Sequence, residues 1–212
     1  MKLYFSRNPN PRLAVATAKY LNAPITYEWA SPFAPDQQAR FRELNPNLSI
    51  PILEDETGTL WEADAIACRL SQLVGSDFWR AGSAQPEMIK WLSWAMWNFV
   101  RACDQVHFER GTKQRYHLGP IDETAVASGL EEFHSTAKIL DAELSGRDWL
   151  LADGLSYADF RMASFLPFNE AARLPLEDFT NVQAWYDRLC DIPAWANPFE
   201  GMDVPELPAI AS

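Results

Sequence analysis

The chain has 212 residues, 48% of them hydrophobic, which suits one large domain or two small ones with a real core and excludes a disordered chain. Its net charge of −11, from 18 basic and 29 acidic side chains, argues against nucleic-acid backbones and anionic membranes as partners. No apolar run is long enough to span a bilayer, and the opening Met-Lys-Leu-Tyr-Phe-Ser-Arg lacks the apolar stretch of a signal peptide, so a cytoplasmic protein is expected. Cys68, Cys103 and Cys190 are odd in number, far apart and without a Cys-x-x-Cys pair. They read as buried thiols in a reducing compartment, with neither a disulfide nor a metal site expected.

Lys2 to Phe5 opens the chain as a short strand. Residues 12–21 have a helical pattern, with Ala14, Ala18 and Leu21 on one face. Ile25, Tyr27 and Trp29 alternate with polar residues, as a half-buried strand should. Residues 36–44 read as a short polar helix. Ile50 to Leu53 is a strand, Asp55 to Gly58 a turn, and Thr59 to Trp61 the return strand of a hairpin. Ile66, Leu70, Leu73 and Val74 then mark a helix. The order is β-α-β-α-β-β-α over residues 1–76.

Residues 77–86 lie in a stretch rich in turn residues and without periodicity, which reads as a linker. Residues 87–212 read as all-helical. Ile89, Leu92, Met96, Phe99 and Cys103 keep a 3–4 spacing, as do Val126, Leu130, Phe133, Ala137, Leu140 and Leu144. Ser156-Tyr-Ala-Asp159 before an apolar run is a capping-box pattern. Val182, Trp185, Tyr186 and Leu189 mark a last helix, and a Pro-rich, extended tail follows to Ser212. The nine tryptophans suggest an apolar pocket or an interface as well as core.

Three segments of the first part could carry chemistry. Asn8-Pro9-Asn10-Pro11-Arg12 follows the first strand, and either Asn8 with Pro9 or Asn10 with Pro11 fits the cap and first position of a helix. A helix start is electropositive, and a thiol held there is pulled toward its thiolate. In Asn45-Pro-Asn-Leu-Ser-Ile50-Pro51, a proline opening an edge strand is tolerable. A cis Ile50–Pro51 bond would turn the Ile50 backbone outward to pair with an extended peptide. Glu62 and Asp64 flank the start of the third helix, either compensating its dipole or holding a ligand ammonium group while the helix N–H groups hold a carboxylate.

Taken in order, these segments resemble the N-terminal domain of cytosolic glutathione S-transferases. The later Leu150-Leu-Ala-Asp-Gly-Leu-Ser156-Tyr-Ala-Asp159 and Ala184-Trp-Tyr-Asp-Arg188…Pro193-Ala-Trp195 are similar to the helical domain of that family. The resemblance implies a thioredoxin-like α/β domain followed by an all-α domain, glutathione as a substrate, no metal and a homodimer. It places Ser49, Ile50 and Pro51 against the cysteinyl unit, and Glu62, Ala63 and Asp64 at the γ-glutamyl end. Ala63 replaces the serine that many members carry there. Asn8 stands where a catalytic serine would be, with Asn10 where certain bacterial classes have a cysteine. Ser6 is the hydroxyl in the loop, and Tyr4 lies near the position of a catalytic tyrosine. Asn8, helped by Arg12 or Arg7, is the preferred thiolate donor, since an amide N–H can donate much as a hydroxyl does.

Trp91, Trp94 and Trp97 lie on the helix that, in this family, borders the electrophile pocket and the dimer interface. Trp94 and Asn98 on that helix, with His107 and Arg110 from the polar run 107–117, are the candidates for a second-substrate pocket in a cleft between the domains. The reaction implied is attack of the glutathione thiolate on an apolar electrophile, or reduction of a peroxide. The rivals are a non-catalytic interaction module of the same fold, which Asn8 and Ala63 favour, and an isomerase using glutathione as cofactor.

Overall fold

The computed structural model describes residues 1–210; the tail expectation for residues 211–212 lies outside them. Strands β1 (Lys2–Phe5), β2 (Thr26–Trp29), β3 (Ile52–Asp55) and β4 (Gly58–Trp61) form one four-stranded sheet in the order β2-β1-β3-β4. β1 runs parallel to β2 and antiparallel to β3, and β3 is antiparallel to β4. Helices α1 (Pro9–Tyr20), α2 (Gln38–Leu44) and α3 (Ala63–Val74) complete the β-α-β-α-β-β-α order. The mixed sheet with its helices is the thioredoxin-like arrangement, and the part beyond it is helical.

Within this first body Leu3, Tyr4 and Phe5 of β1 and Ile52 and Leu53 of β3 are buried in succession, as suits inner strands, whereas β2 is only partly buried. Tyr4, Ala30, Phe41 and Ile52 form one cluster, with the Phe41 ring edge-on to Tyr4 at 5.6 Å. β3 corrects one expectation. It is an inner strand, with Ile52 paired to both Tyr4 and Trp61, and not an edge. Pro51 stands just outside the ladder, so its missing N–H removes no sheet bond. Helix α1 starts at Pro9 with Asn8 as its cap, three residues earlier than the apolar spacing suggested. Proline at the first position needs no partner for an N–H it lacks.

The helical body contains α4 (Gln85–Trp97), α5 (Phe99–His107), α6 (Lys113–Tyr116), α7 (Glu123–Glu143), α8 (Tyr157–Met162), α9 (Asn169–Ala172) and α10 (Thr180–Cys190). The expected single helix through Cys103 is broken at Asn98, whose φ of −129° and ψ of −95° lie outside the helical region. Its buried face is Met88, Trp91, Leu92 and Ala95, whereas Ile89, Met96 and Trp97 are exposed. A 3–4 spacing fits more than one stripe of so apolar a helix, and the one that is buried carries Trp91. The long α7 behaves as read, capped by the Asp122 carboxylate, which accepts the Thr124 and Ala125 N–H groups at 2.9 and 3.1 Å. Gly129 lets α7 approach α5 closely, because a Cβ there would stand 2.8 Å from Val106 Cγ2. The capping box at Ser156 and Asp159 is formed.

The chain divides into two compact units, Met1–Trp79 with Pro193–Glu206, and Arg80–Ile192 with the residues from Leu207. The segment from Pro193, including α11 (Pro193–Ala196), therefore packs with the first unit rather than with the helical part. The expected linker is shorter than 77–86, since a 3-10 turn occupies Gly82–Ala84 and α4 begins at Gln85. Of the thiols, Cys103 is buried but Cys68 is only partly so and Cys190 is exposed, which corrects the reading of all three as core. No helix among the described residues is long and apolar enough to cross a membrane, and no cluster of metal-ligating side chains occurs among them.

Candidate functional site

Strand register assembles the candidate residues. Tyr4 is paired with Ile52, and Ile52 with Trp61. Because β3 runs against β1 and β4 against β3, the loop Ser6–Asn8, the turn at Ile50–Pro51 and the start of α3 at Glu62–Asp64 all emerge at the same end of the sheet. The Ile50–Pro51 bond is cis.

At the start of α1, Asn8 Nδ2 donates to Ser6 Oγ at 3.2 Å, and the Asn8 backbone N–H reaches the same oxygen at 3.3 Å. Ser6 is 5% exposed, so its hydroxyl is a buried fixture that orients the Asn8 amide. Pro9 and Pro11 bring no N–H to the first turn. A helix start that would ordinarily present several backbone donors therefore leans on side chains here. Asn10 is exposed at the second helical position.

Two sequence candidates are committed elsewhere. The Tyr4 hydroxyl donates to Glu54 Oε2 at 2.6 Å and accepts from Arg40 at 3.2 Å. Its single proton is thus given to a carboxylate, and burial together with Glu54 raises its pKa above the usual phenol value. Tyr4 is thus a core residue with an anchored tip. Arg12 donates to the Trp195 carbonyl and lies over the Trp195 indole at 4.9 Å, so it ties α1 to α11 within the first unit.

The turn before β3 is held by a residue that the sequence left unassigned. Asn45 is fully buried, donates to Ser49 O at 2.9 Å and Ser49 Oγ at 3.1 Å, and accepts the Asn47 N–H at 3.0 Å. The available signal was the Asn-Pro-Asn run, since asparagine commonly bonds the backbone two residues on. These bonds set the path of the chain into Ile50.

At α3, Glu62 is exposed and holds φ 73° and ψ 125°, a conformation that a side chain rarely adopts. Ala63 is buried at 1% exposure, and Asp64 sits in the first turn. A strained non-glycine residue costs about 1–3 kcal/mol and persists where the surroundings over-determine it. Here it aims an acid and the first N–H groups of a helix toward the same end of the sheet.

Of the proposed second-substrate residues, Trp94 and Asn98 are in contact, whereas His107 and Arg110 are engaged within the helical unit. His107 is 3% exposed, with Phe165 and Phe168 edge-on at 5.6 and 5.3 Å, and burial followed by the charge of Arg115 lowers its pKa to about 4. It belongs to the interior of the helical unit and not to a rim. Arg110 donates to the Ala172 carbonyl at 2.8 Å, and Asn98 to the Trp94 carbonyl at 2.9 Å. Asn98 with Trp97, Arg101, Glu131, Glu132, Ser135 and Thr136 lines an open hollow of about 280 Å³ on the helical unit. Trp94, half-buried, is edge-on to Trp91 at 5.8 Å.

Residues 96–193 match the family model for the glutathione S-transferase C-terminal domain. Glutathione S-transferase GstB of Escherichia coli is 28% identical over 169 residues, which are 76% of this chain and 78% of GstB. A glutathione S-transferase from Rhodospirillum rubrum F11 superposes with a TM-score of 0.83 at 20% identity, over 98% of this chain and 96% of its own. Glutathione S-transferase I from mais, in complex with an atrazine glutathione conjugate, gives 0.82 at 20% identity over 93% and 95%. At such identity the structural likeness establishes the fold, and the sequence matches supply the kinship. Residues 96–193 thus belong to the glutathione S-transferase C-terminal domain family, and the chain as a whole is similar to GstB in sequence and shares the glutathione S-transferase fold.

Proposed function

We propose that this protein is a glutathione transferase, with glutathione bound at the end of the sheet where Ser6–Asn8, Ile50 and Glu62–Asp64 converge. The observation that carries the reading is the strained Glu62 at the start of α3, opposite an Asn8 amide fixed at the start of α1 by Ser6. The ammonium of the γ-glutamyl end pairs with Glu62, helped by Asp64, while its carboxylate rests on the N–H groups opening α3. Ser49 and Ile50 lie beside the cysteinyl unit. The thiol loses its proton to solvent at the start of α1, and the Asn8 amide donates to the thiolate that remains. The thiolate sulfur then bonds to an electrophilic carbon of a small apolar molecule as that carbon releases its leaving group. With a peroxide it bonds to one oxygen as the O–O bond breaks, the other oxygen leaves as an alcohol after taking a proton from water, and a second glutathione converts the sulfenic acid to the disulfide and water. Support comes from the names of the relatives and from the glutathione conjugate in the maize-type neighbour. None of these relatives favours the non-catalytic alternative. A homodimer in the cytoplasm goes with this reading, and the exposed Ile89, Met96 and Trp97 of α4 suit a subunit contact.

Calorimetric titration with glutathione, with thiolate absorbance followed against pH, tests the reading. Asn8→Ala removes one charge-assisted hydrogen bond, worth about 1.5–3 kcal/mol. The bound thiol pKa should therefore rise by roughly one to two units. If Ser6→Ala produces that rise and Asn8→Ala does not, the hydroxyl is the donor. Absence of binding at millimolar glutathione would overturn the enzyme reading altogether.

A further inference from the structure

The geometry points to Arg7 as a positioning residue for the thiolate loop, clamped from behind by the C-terminal segment. The inference rests on the proposed role of Asn8. Arg7 stands between Ser6 and Asn8, and its side chain leaves the loop toward the chain's end. Its Nε donates to the Pro205 carbonyl at 3.0 Å, Nη2 pairs with Glu206 at 2.7 Å, and Nη2 lies 3.5 Å from the Val204 carbonyl. The guanidinium also lies over the Phe199 ring at 4.7 Å. Phe199 in turn stacks on Phe5, the last residue of β1, with centroids 5.9 Å apart and planes 16° from parallel. All these residues belong to the first compact unit.

Ser6 to Asn8 is a short turn with a proline after it and no backbone ladder of its own. A turn of this kind is fixed by whatever holds its side chains. Ser6 and Asn8 hold each other on one side, and Arg7 is held by a four-point grip on the other. A planar fork that engages two carbonyls, a carboxylate and a ring restricts the backbone that bears it far more than a single flexible contact would. The consequence is specific to chemistry. The clamp sets where the Asn8 amide points, so residues about two hundred positions away in sequence help to set the ionisation of a bound thiol.

The test uses the full chain, Arg7→Ala, Arg7→Lys, and a version ending at Met202, which lacks Val204, Pro205 and Glu206 but keeps Phe199. In the ligand-free proteins, hydrogen exchange at the Asn8 amide should quicken at least about tenfold in Arg7→Ala and the shortened chain, while amides in β1 and β3 stay protected. With glutathione, the thiol pKa should rise by about half to one unit, turnover at neutral pH should fall about three- to tenfold, and the deficit should close at alkaline pH. Arg7→Lys should fall between. In an Asn8→Ala background the same changes should add nothing further. Unchanged exchange at Asn8, or a shift that persists in the Asn8→Ala background, would overturn the proposal. Failure of the unaltered protein to bind glutathione would instead remove the reading of the site, and the exchange measurement would still decide whether the clamp orders the loop.

Discussion

Asp159 offers the sharpest test of how the helical unit is held together. Its carboxylate is fully buried and accepts the Leu150 N–H at 2.9 Å, the Trp185 indole N–H at 3.0 Å, the Ser156 N–H at 2.9 Å and the Ser156 hydroxyl at 3.2 Å. One side chain thus joins the loop before α8, the start of α8 and the middle of α10. Asp159→Ala would leave three buried N–H donors without an acceptor, at about 1–3 kcal/mol each. Part of that loss is offset, because the carboxylate is itself dehydrated and burial raises its pKa against the pull of those hydrogen bonds. The net cost should be about 3–5 kcal/mol, at the upper end for a single substitution. Asp159→Asn can still accept from Leu150 and Trp185 and donate to the Ser156 hydroxyl, but it orphans the Ser156 N–H, which should cost about 2 kcal/mol. Ser156→Ala should cost about 1 kcal/mol, as a lost cap does. Urea unfolding of the three variants gives the order directly, and turnover per folded molecule should stay constant. An Asp159→Ala midpoint close to that of the unaltered protein, or a loss of turnover without a loss of stability, would refute this account.

His107 predicts an acid weakness: its folded-state pKa of about 4 lies below the ordinary 6.5, so between those values the unfolded chain binds a proton that the folded chain refuses. Its contribution is complete above pH 6.5 and is lost as the pH falls toward 4, by roughly 3 kcal/mol at most. His107→Gln should flatten the stability curve in that window, and an unaltered slope would show that another group is responsible. Glu62→Gly should separate stability from binding: relief of the positive φ should raise the unfolding free energy by about 1 kcal/mol, while loss of the acid weakens glutathione. Glu62→Gln keeps the backbone strain and should weaken binding by at least about tenfold, or about 1.4 kcal/mol, as read by calorimetry. Asn45→Ala removes three hydrogen bonds in a fully buried place. It should cost about 2–3 kcal/mol in denaturant titration, with binding weakened further through Ser49 and Ile50.

The parts of this molecule that were legible in the sequence are those where one local rule dominates. Alternation marked β2, the turn at Asp55–Gly58 marked the β3–β4 hairpin, the 3–4 spacing marked α7 and α10, and the Ser-x-x-Asp pattern marked the start of α8. What escaped is set by contacts between distant segments. The spacing that marks Ile89 and Met96 as apolar cannot say which stripe of α4 is buried. The polar run 107–117 offers candidates for a pocket, yet within it Glu109 and Arg115 are buried and paired with Lys113 and Glu170 at 2.7 and 2.6 Å. Nothing local announces that Arg12 will spend its charge on Trp195, or that Tyr4 will give its proton to Glu54.

The same division runs through the candidate site. Which segments form it follows from order and motif, because a strand end, a turn before proline and a helix start are local features. Which atoms act does not follow, because two prolines remove two of the N–H donors from the first turn of α1 and Ala63 supplies no hydroxyl at α3. A site with fewer backbone and hydroxyl donors depends more on the aim of the polar groups that remain. Their aim is fixed by Ser6 against Asn8, by Asn45 against Ser49, and by the backbone strain at Glu62. Each of these supports touches no ligand in the proposed complex except through the residue it holds. Substitutions at the supports should accordingly change the pH dependence and affinity of glutathione while leaving the chemical groups of the site in place, which is the pattern that separates positioning from catalysis.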